Sequence, residues 1–350
     1  MDISTVEQDL KTRWAALRAS QPHSYTRNDA RALGVSEAEL ICTRLGEGVT
    51  RLIDDPKRIL ASVPSLGRVK TITRNDHMVL ERKGAFTRLV FEGPVGLFVG
   101  EDIDLRIFWS HWGSAFAVVE GEGDQMRHSL QFFDQQGEAV HKIHMLPESD
   151  HAAFQRVVHE HKAALQEPVV PAPFVAAARP ATTSSPDVAA FKKSWSELKD
   201  THDFHLLLRE HGLTRTQALE LAPEGMAVKL SGKPLRHILT KAAGSALPIM
   251  IFVGNRGMLQ IHTGTIFNVV DARGWLNVLD PDLDLHVREE AITSSWVVTK
   301  PTRDGLVTAL ECYDSNGELL IQLFGKRKPG IPELPEWRSL LEEMMNTMRA

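Results

Sequence analysis

Asp134-Gln135-Gln136-Gly137-Glu138 and Asp314-Ser315-Asn316-Gly317-Glu318 are one turn written twice, 180 positions apart. Outward from it at that fixed offset, Asn255, Met258, Gly264, Asp284, Leu285, Val298 and Leu310 repeat Asn75, Met78, Gly84, Asp104, Leu105, Val118 and Leu130. Without a gap, 14 of the 64 positions from Asn75 to Glu138 are identical, which marks a repeated unit. The Asp-X-X-Gly-Glu piece reads as a hairpin turn in which Gly137 or Gly317 takes a positive φ. The Asp-X-Asp-Leu piece at 102–105 and 282–285 reads as structural as well.

Around the first turn lie short β-like runs at 69–73, 78–81, 86–92, 97–99, 105–109, 115–120, 129–133 and 139–144, separated by Asn-Asp, Lys-Gly, Glu-Gly-Pro and Gln-Gln-Gly turn signals. Connections this short make successive strands antiparallel neighbours. Helical patterns precede them at 9–19 and 28–33, the second stopped by Gly34, with Ser36-Glu37-Ala38-Glu39 opening a third. Another helical run at 150–165 closes the half. Residues 166–187 are rich in Pro, Ala, Ser and Thr without an apolar period and read as a linker; then the pattern restarts. The expected fold is α+β, a tandem duplication: N-terminal repeat 1–165, linker 166–187, C-terminal repeat 188–350.

Composition excludes several classes of function. A hydrophobic share of 43% with 24% charged residues belongs to a soluble globular chain. A net charge of −5 provides no field for general nucleic-acid binding. Two cysteines, Cys42 and Cys312, allow neither a disulfide framework nor a thiolate metal site, and read as reduced packing thiols. The first residues lack a signal peptide's basic start and apolar run, and the apolar stretch 246–253 contains Pro248 and is too short to span a bilayer. A cytoplasmic protein without stable membrane insertion is expected. Fifteen histidines are the compositional oddity.

Two of them stand in Asp200-Thr201-His202-Asp203-Phe204-His205. Phe191, Trp195 and Leu198 fall at helical steps that continue into His202 and His205, which predicts one helix face carrying two imidazoles where a core takes Leu. Iron or zinc ligation is one reading; a satisfied core histidine, or a fresh helix capped by Asp200 or Thr201 with a solvated first turn, is the other. The repeats differ here, because the first-half counterpart, placed near Ala15 to Arg18, has no histidine. They differ also at Arg106 against His286 and Lys142 against Gln322. One ligand site per chain on a duplicated scaffold follows as an expectation. Other signals are weak: Gly225 to Lys233 has the wrong spacing for a phosphate loop, His141/His144 and His159/His161 lack further metal ligands, and His77 reads as an exposed turn residue.

The duplication, the Asp-Thr-His-Asp-Phe-His stretch, Glu101-Asp102-Ile103-Asp104-Leu105-Arg106-Ile107-Phe108 and the tryptophan-rich strands together resemble the bacterial cytoplasmic haem-utilisation, or hemin-degrading, family of the HemS/ChuS/PhuS type, over nearly the whole chain. The resemblance implies that each half is a large curved antiparallel sheet flanked by helices, with haem b, as ligand or substrate, held in the C-terminal half. It implies His202 as axial ligand, His205 as an alternative ligand found in some members, Arg106 as the distal group, Arg215 and Lys300 on the propionates, and Gln322 as a polar wall. From their local sequence, Arg215 reads equally as a solvated first-turn residue, Lys300 as an edge-blocking lysine, and Arg106 as a solvent-facing strand residue paired with Asp104.

Two functions fit that pocket. One is a haem carrier that sequesters incoming haem and passes it to a separate haem oxygenase or takes it from an inner-membrane haem transporter; the His202/His205 pair favours it. The other is a haem-degrading enzyme, opening the porphyrin beside Arg106 with electrons from an external reductant. A non-haem protein-interaction scaffold is the third reading, and it predicts a colourless protein.

Overall fold

The computed structural model describes residues 3–22, 24–173, 186–328 and 330–350. Among them the element order is the same twice over: three helices, a strand, a helix, eight strands and a closing helix. His23 and residues 174–185 of the expected linker lie outside the described residues. Its first part is bonded to the N-terminal unit, where the Gln166 side chain exchanges two bonds with the Arg51 backbone at 2.8 and 2.9 Å.

The chain divides into an N unit (Met1–Arg74, Glu81–Val175 and Asn255–Gln260) and a C unit (Asn75–Leu80, Ala176–Gly254 and Ile261–Ala350). Each therefore takes a short segment from the opposite half of the sequence. The repeated asparagines secure these segments. In the C unit, Asn75 donates to the carbonyls of Leu320 (2.8 Å) and Gly254 (3.3 Å), while its Oδ1 accepts from the backbone of His77 and Met78. In the N unit, Asn255 donates to Val140 (2.9 Å) and Arg74 (3.0 Å) and accepts from Gly257 and Met258. Met78 is buried in the C-unit core with Leu283, Leu285 and Val287, and Met258 in the N-unit core with Leu105 and Ile107. The same Asn-X-X-Met holds the segment in both halves.

Six successive strands of one nine-stranded sheet are Val49–Arg51, Trp112–Glu120, Arg127–Asp134, Ala139–Met145, Arg68–Arg74 and Met78–Ala85, all of the N unit but for Met78–Leu80. The matching six of the other nine-stranded sheet are Ala227–Leu230, Ser294–Thr302, Gly305–Tyr313, Leu319–Gly325, Ile249–Gly254 and Met258–Gly264, all of the C unit but for Met258–Gln260. The ladders between consecutive long strands are antiparallel, Phe132 facing His141 and Glu311 facing Gln322. The expected turns are present. Gly137 (φ 80°) and Gly317 (φ 78°) each donate to the carbonyl of the turn's Asp, whose Oδ1 accepts from the backbone two and four residues on.

Helices pack on these sheets through their apolar faces. In the N unit Thr26–Leu33 ends at Gly34 in the left-handed region, and Glu37–Cys42 opens with a capping box between Ser36 and Glu39. In the C unit Val188–Ser196, Asp203–Glu210 and Arg215–Glu220 bury Phe191, Trp195, Phe204, Leu207, Leu208 and Leu219 against Trp296, Val298 and Tyr313 of the sheet. The Trp195 and Phe204 rings meet edge-on with centroids 4.6 Å apart. Each such buried aromatic contributes about 1.5–3 kcal/mol.

Candidate functional site

Arg215, Lys300 and Gln322 converge on one atom group that sequence reasoning did not single out, the carboxylate of Glu311. It lies on strand Gly305–Tyr313 and is 0% exposed. Arg215, the first residue of its helix, forks onto it, Nε to Oε2 at 2.9 Å and Nη2 to Oε1 at 2.6 Å. Lys300 Nζ and Gln322 Nε2 each reach Oε1 at 2.9 Å. The Tyr313 hydroxyl donates to Oε2 and accepts from Arg215 Nε at 2.9 Å. Two cations, one anion and two neutral donors thus share a buried place.

The electrostatics follow from that count. Burial works to raise the Glu311 carboxyl, but Arg215 and Lys300, and then the bonds from Arg215 and Tyr313, hold it well below the usual carboxylate range. Burial pushes the Lys300 ammonium down to about 8, against the pull of Glu311 and with the repulsion of Arg215. Lys300 sits in a strand flanked on both sides by others and is 4% exposed, so it blocks no edge. Arg215, bidentate to a buried acid, is no solvated first-turn residue. Both cations lie over the Phe204 ring, Lys300 Nζ 4.4 Å and Arg215 Cζ 5.2 Å from its centroid. Beside Gln322 in the ladder is Phe252, whose ring meets that of Phe324 edge-on at 5.0 Å, an apolar wall next to the charged group.

The histidines lie on the helix that provides Phe204, but not as the apolar stripe predicted. The helix from Val188 ends at Ser196, the chain turns, and a new helix starts at Asp203 with His202 as its N-cap. The break rotates the face, so the core places after Trp195 and Leu198 go to Phe204, Leu207 and Leu208. His211, against Phe191 and bonded to Ser194, is the imidazole that packs on the first helix. His202 and His205 are exposed instead, three residues apart and so on one side of the helix's first turn. Asp200 causes the turn, its Oδ1 accepting from the His202 backbone N–H at 2.9 Å. The same oxygen lies 2.6 Å from His202 Nδ1. With Nδ1–H donated to the carboxylate, Nε2 is the ring's open lone pair, on a side chain that is 90% exposed. A carboxylate-oriented imidazole is the usual form of a metal-bound histidine.

Arg106 belongs to the N unit, in strand Asp104–Phe108, where it pairs with Asp104 and donates to the Leu105 carbonyl at 3.2 Å. That is the pairing its local sequence allowed. Among the described residues no three His, Cys, Asp or Glu side chains gather as a metal site. A single imidazole can serve a metal that brings its other ligands, as a porphyrin iron does. His141 is buried against Thr73, and both cysteines are buried and unbonded to each other. Two signals for Glu311 were present in the sequence: an acid in an otherwise apolar strand, and Gln131 at the matching place of the first repeat.

The model of the haemin-degrading HemS.ChuX domain matches this chain twice, at residues 34–161 and 212–344. The hemin transport protein HmuS of Yersinia pestis is 36% identical over 343 residues, 96% of this chain and 97% of its own length. The crystal structure of holo-PhuS, a heme-binding protein from Pseudomonas aeruginosa, superposes with a TM-score of 0.93 at 42% identity, covering 97% of this chain and 99% of that one. ChuS of Escherichia coli O157:H7, described as a heme degrading enzyme, gives 0.90 at 35% identity over 97% and 99% of the two chains. On a twofold domain match and relatives aligned from end to end, the chain belongs to the haemin-degrading HemS/ChuX domain family.

Proposed function

We propose that this protein binds haem in its C-terminal unit, with His202 as axial ligand, and acts as a cytoplasmic carrier that sequesters incoming haem and passes it on for iron release. The observation that carries this reading is the Asp200–His202 pair: an exposed imidazole with Nδ1 engaged and Nε2 open, on the helix whose Phe204 underlies Arg215 and Lys300. The residues fit the cargo. A porphyrin iron needs one neutral imidazole, its propionates need cations, and its ring needs apolar walls such as Phe252 and Phe324. Gln322 is the polar wall residue. His205, on the same side of the helix as His202, provides a second imidazole for release, one ligand holding while the other lets go. The source and recipient are an inner-membrane haem transporter and a separate haem oxygenase. No helix among the described residues is long and apolar enough to cross a membrane.

The second reading, an enzyme that opens the ring, is favoured by the 35% identity with ChuS, described as a heme oxygenase. One experiment separates the two. Haem is titrated into wild type and His202→Ala while the Soret band is followed, then a reductant is added with and without catalase. A saturable Soret shift that His202→Ala weakens at least about tenfold, or about 1.4 kcal/mol, supports the ligand assignment. A bound band that survives reduction when catalase is present supports the carrier; decay to a defined open-chain product despite catalase makes the protein an enzyme. No shift in wild type refutes both and leaves the scaffold. An unchanged spectrum in His202→Ala moves the ligand to His205.

A further inference from the structure

We propose that Glu311 is a positioning residue for the carboxylate groups of the ligand, gripping Arg215 from behind so that the guanidinium presents its remaining edge outward. This rests on the haem reading above and adds to it the device that keeps the cations in place before cargo arrives. The fork uses Nε and Nη2 of Arg215. Among the described residues nothing is bonded to Nη1, and the side chain is 23% exposed although its partner Glu311 is fully buried. Nη1, with the second N–H of Nη2, is thus the edge left for an incoming carboxylate, its direction set by the bidentate contact on the opposite edge.

Three observations favour a positioning role over a purely architectural one. A buried ion cluster is a poor source of stability, since desolvation of each ion costs several kcal/mol. The N unit builds the same strands and helices with Gln131 at this place, so the scaffold does not require the acid. The charge sum of Arg215, Lys300 and Glu311 is +1, which leaves the group a net cation able to receive an anionic ligand without stranding two unbalanced charges over Phe204. Tyr313 and Gln322 donate to the carboxylate oxygens as well, so that Glu311 has little freedom to swing towards the ligand itself.

The test compares haem with its dimethyl ester, which has the same ring and iron but no carboxylates, on the full chain. Wild type is expected to prefer haem. Glu311→Gln keeps the shape and loses the charge; it is expected to weaken haem about 10-fold or more while the diester changes less than about twofold, with Glu311→Asp recovering part of the preference. If Glu311→Gln does not fold, Arg215→Lys, which keeps the charge and loses the fork, should lose the same preference. Equal loss of both porphyrins, or loss of neither, overturns the proposal while the haem reading stands. If wild type binds neither porphyrin, the haem reading falls and this inference falls with it.

Discussion

The two units carry opposite charges at the same helical position. Each has a short helix opened by a capping box, Ser36 with Glu39 in one and Thr214 with Gln217 in the other. The first residue of each helix reaches the sheet: Glu37 pairs with Lys142 in the N unit, and Arg215 with Glu311 in the C unit. In the first case the account closes with one acid and one base. In the second, Lys300 adds a cation where the N unit has Glu120, itself paired with Arg44 at 3.2 Å. Gln322 stands where Lys142 stands, and Glu311 where Gln131 stands. A duplicated scaffold accepts a helix-to-sheet ion pair in either polarity. The C unit's copy carries a surplus cation, and the N unit's pair does not.

The largest expected break in this comparison comes from deleting the acid. Glu311→Ala leaves buried Lys300 and half-buried Arg215 without a counter-charge and should cost about 3–5 kcal/mol in urea unfolding. Gln131→Ala, which removes a single bond to Ser129, should cost about 1 kcal/mol. Similar costs would mean that the cluster is not specific to the C unit.

A second difference appears on acidification. His141 is 1% exposed in the N-unit core, where the C unit has Ile321, and burial pushes it down to about 3. The unfolded chain takes up that proton near pH 6.5 and the folded chain only near 3, so stability falls as pH drops through that window, by about 1.4 kcal/mol per pH unit. His141→Ile, which installs the C-unit residue, should flatten the acid limb of the stability curve by that slope. An unchanged slope between pH 6 and 4 would place the acid sensitivity elsewhere.

The smallest effect sharpens the comparison at the turns. A Cβ at Gly137 would lie 2.4 Å from Ser36 Oγ, and one at Gly317 3.0 Å from Thr216 Oγ1. Both glycines take a positive φ, so Gly→Ala is costly at either place. Gly137→Ala should exceed Gly317→Ala by about 1 kcal/mol in thermal or urea unfolding. A reversed order would show that the helix above the N-unit turn yields more easily than its copy.

Much of this was legible before folding. The repeat, the two turns, the Gly34 stop and the Ser36 cap are local or arithmetical, and each appears where expected. Arg215, Lys300 and Gln322 came from resemblance, and they do meet. The helix face did not survive, because Asp200 bonds the His202 backbone and ends one helical register before the next begins. A step count through Leu198 cannot register such a break. Glu311 was passed over because an acid on a strand signals little until its partners, 96 residues upstream and 11 on either side, are known.

From its order alone, then, the chain determined that one α+β unit occurs twice, with antiparallel strands, fixed turns and the His202/His205 pair only in the second copy. These follow from short-range chemistry: φ preferences, capping and alternation. Only the tertiary structure decided that His202 faces outward with Asp200 behind it, that Asn75 and Asn255 anchor segments in the other repeat's core, and that Glu311 gathers two cations over Phe204. The first is a contact two residues long that a periodicity count does not see; burial and long-range pairing set the other two. They depend on which distant residues share a face, and no local spacing encodes that.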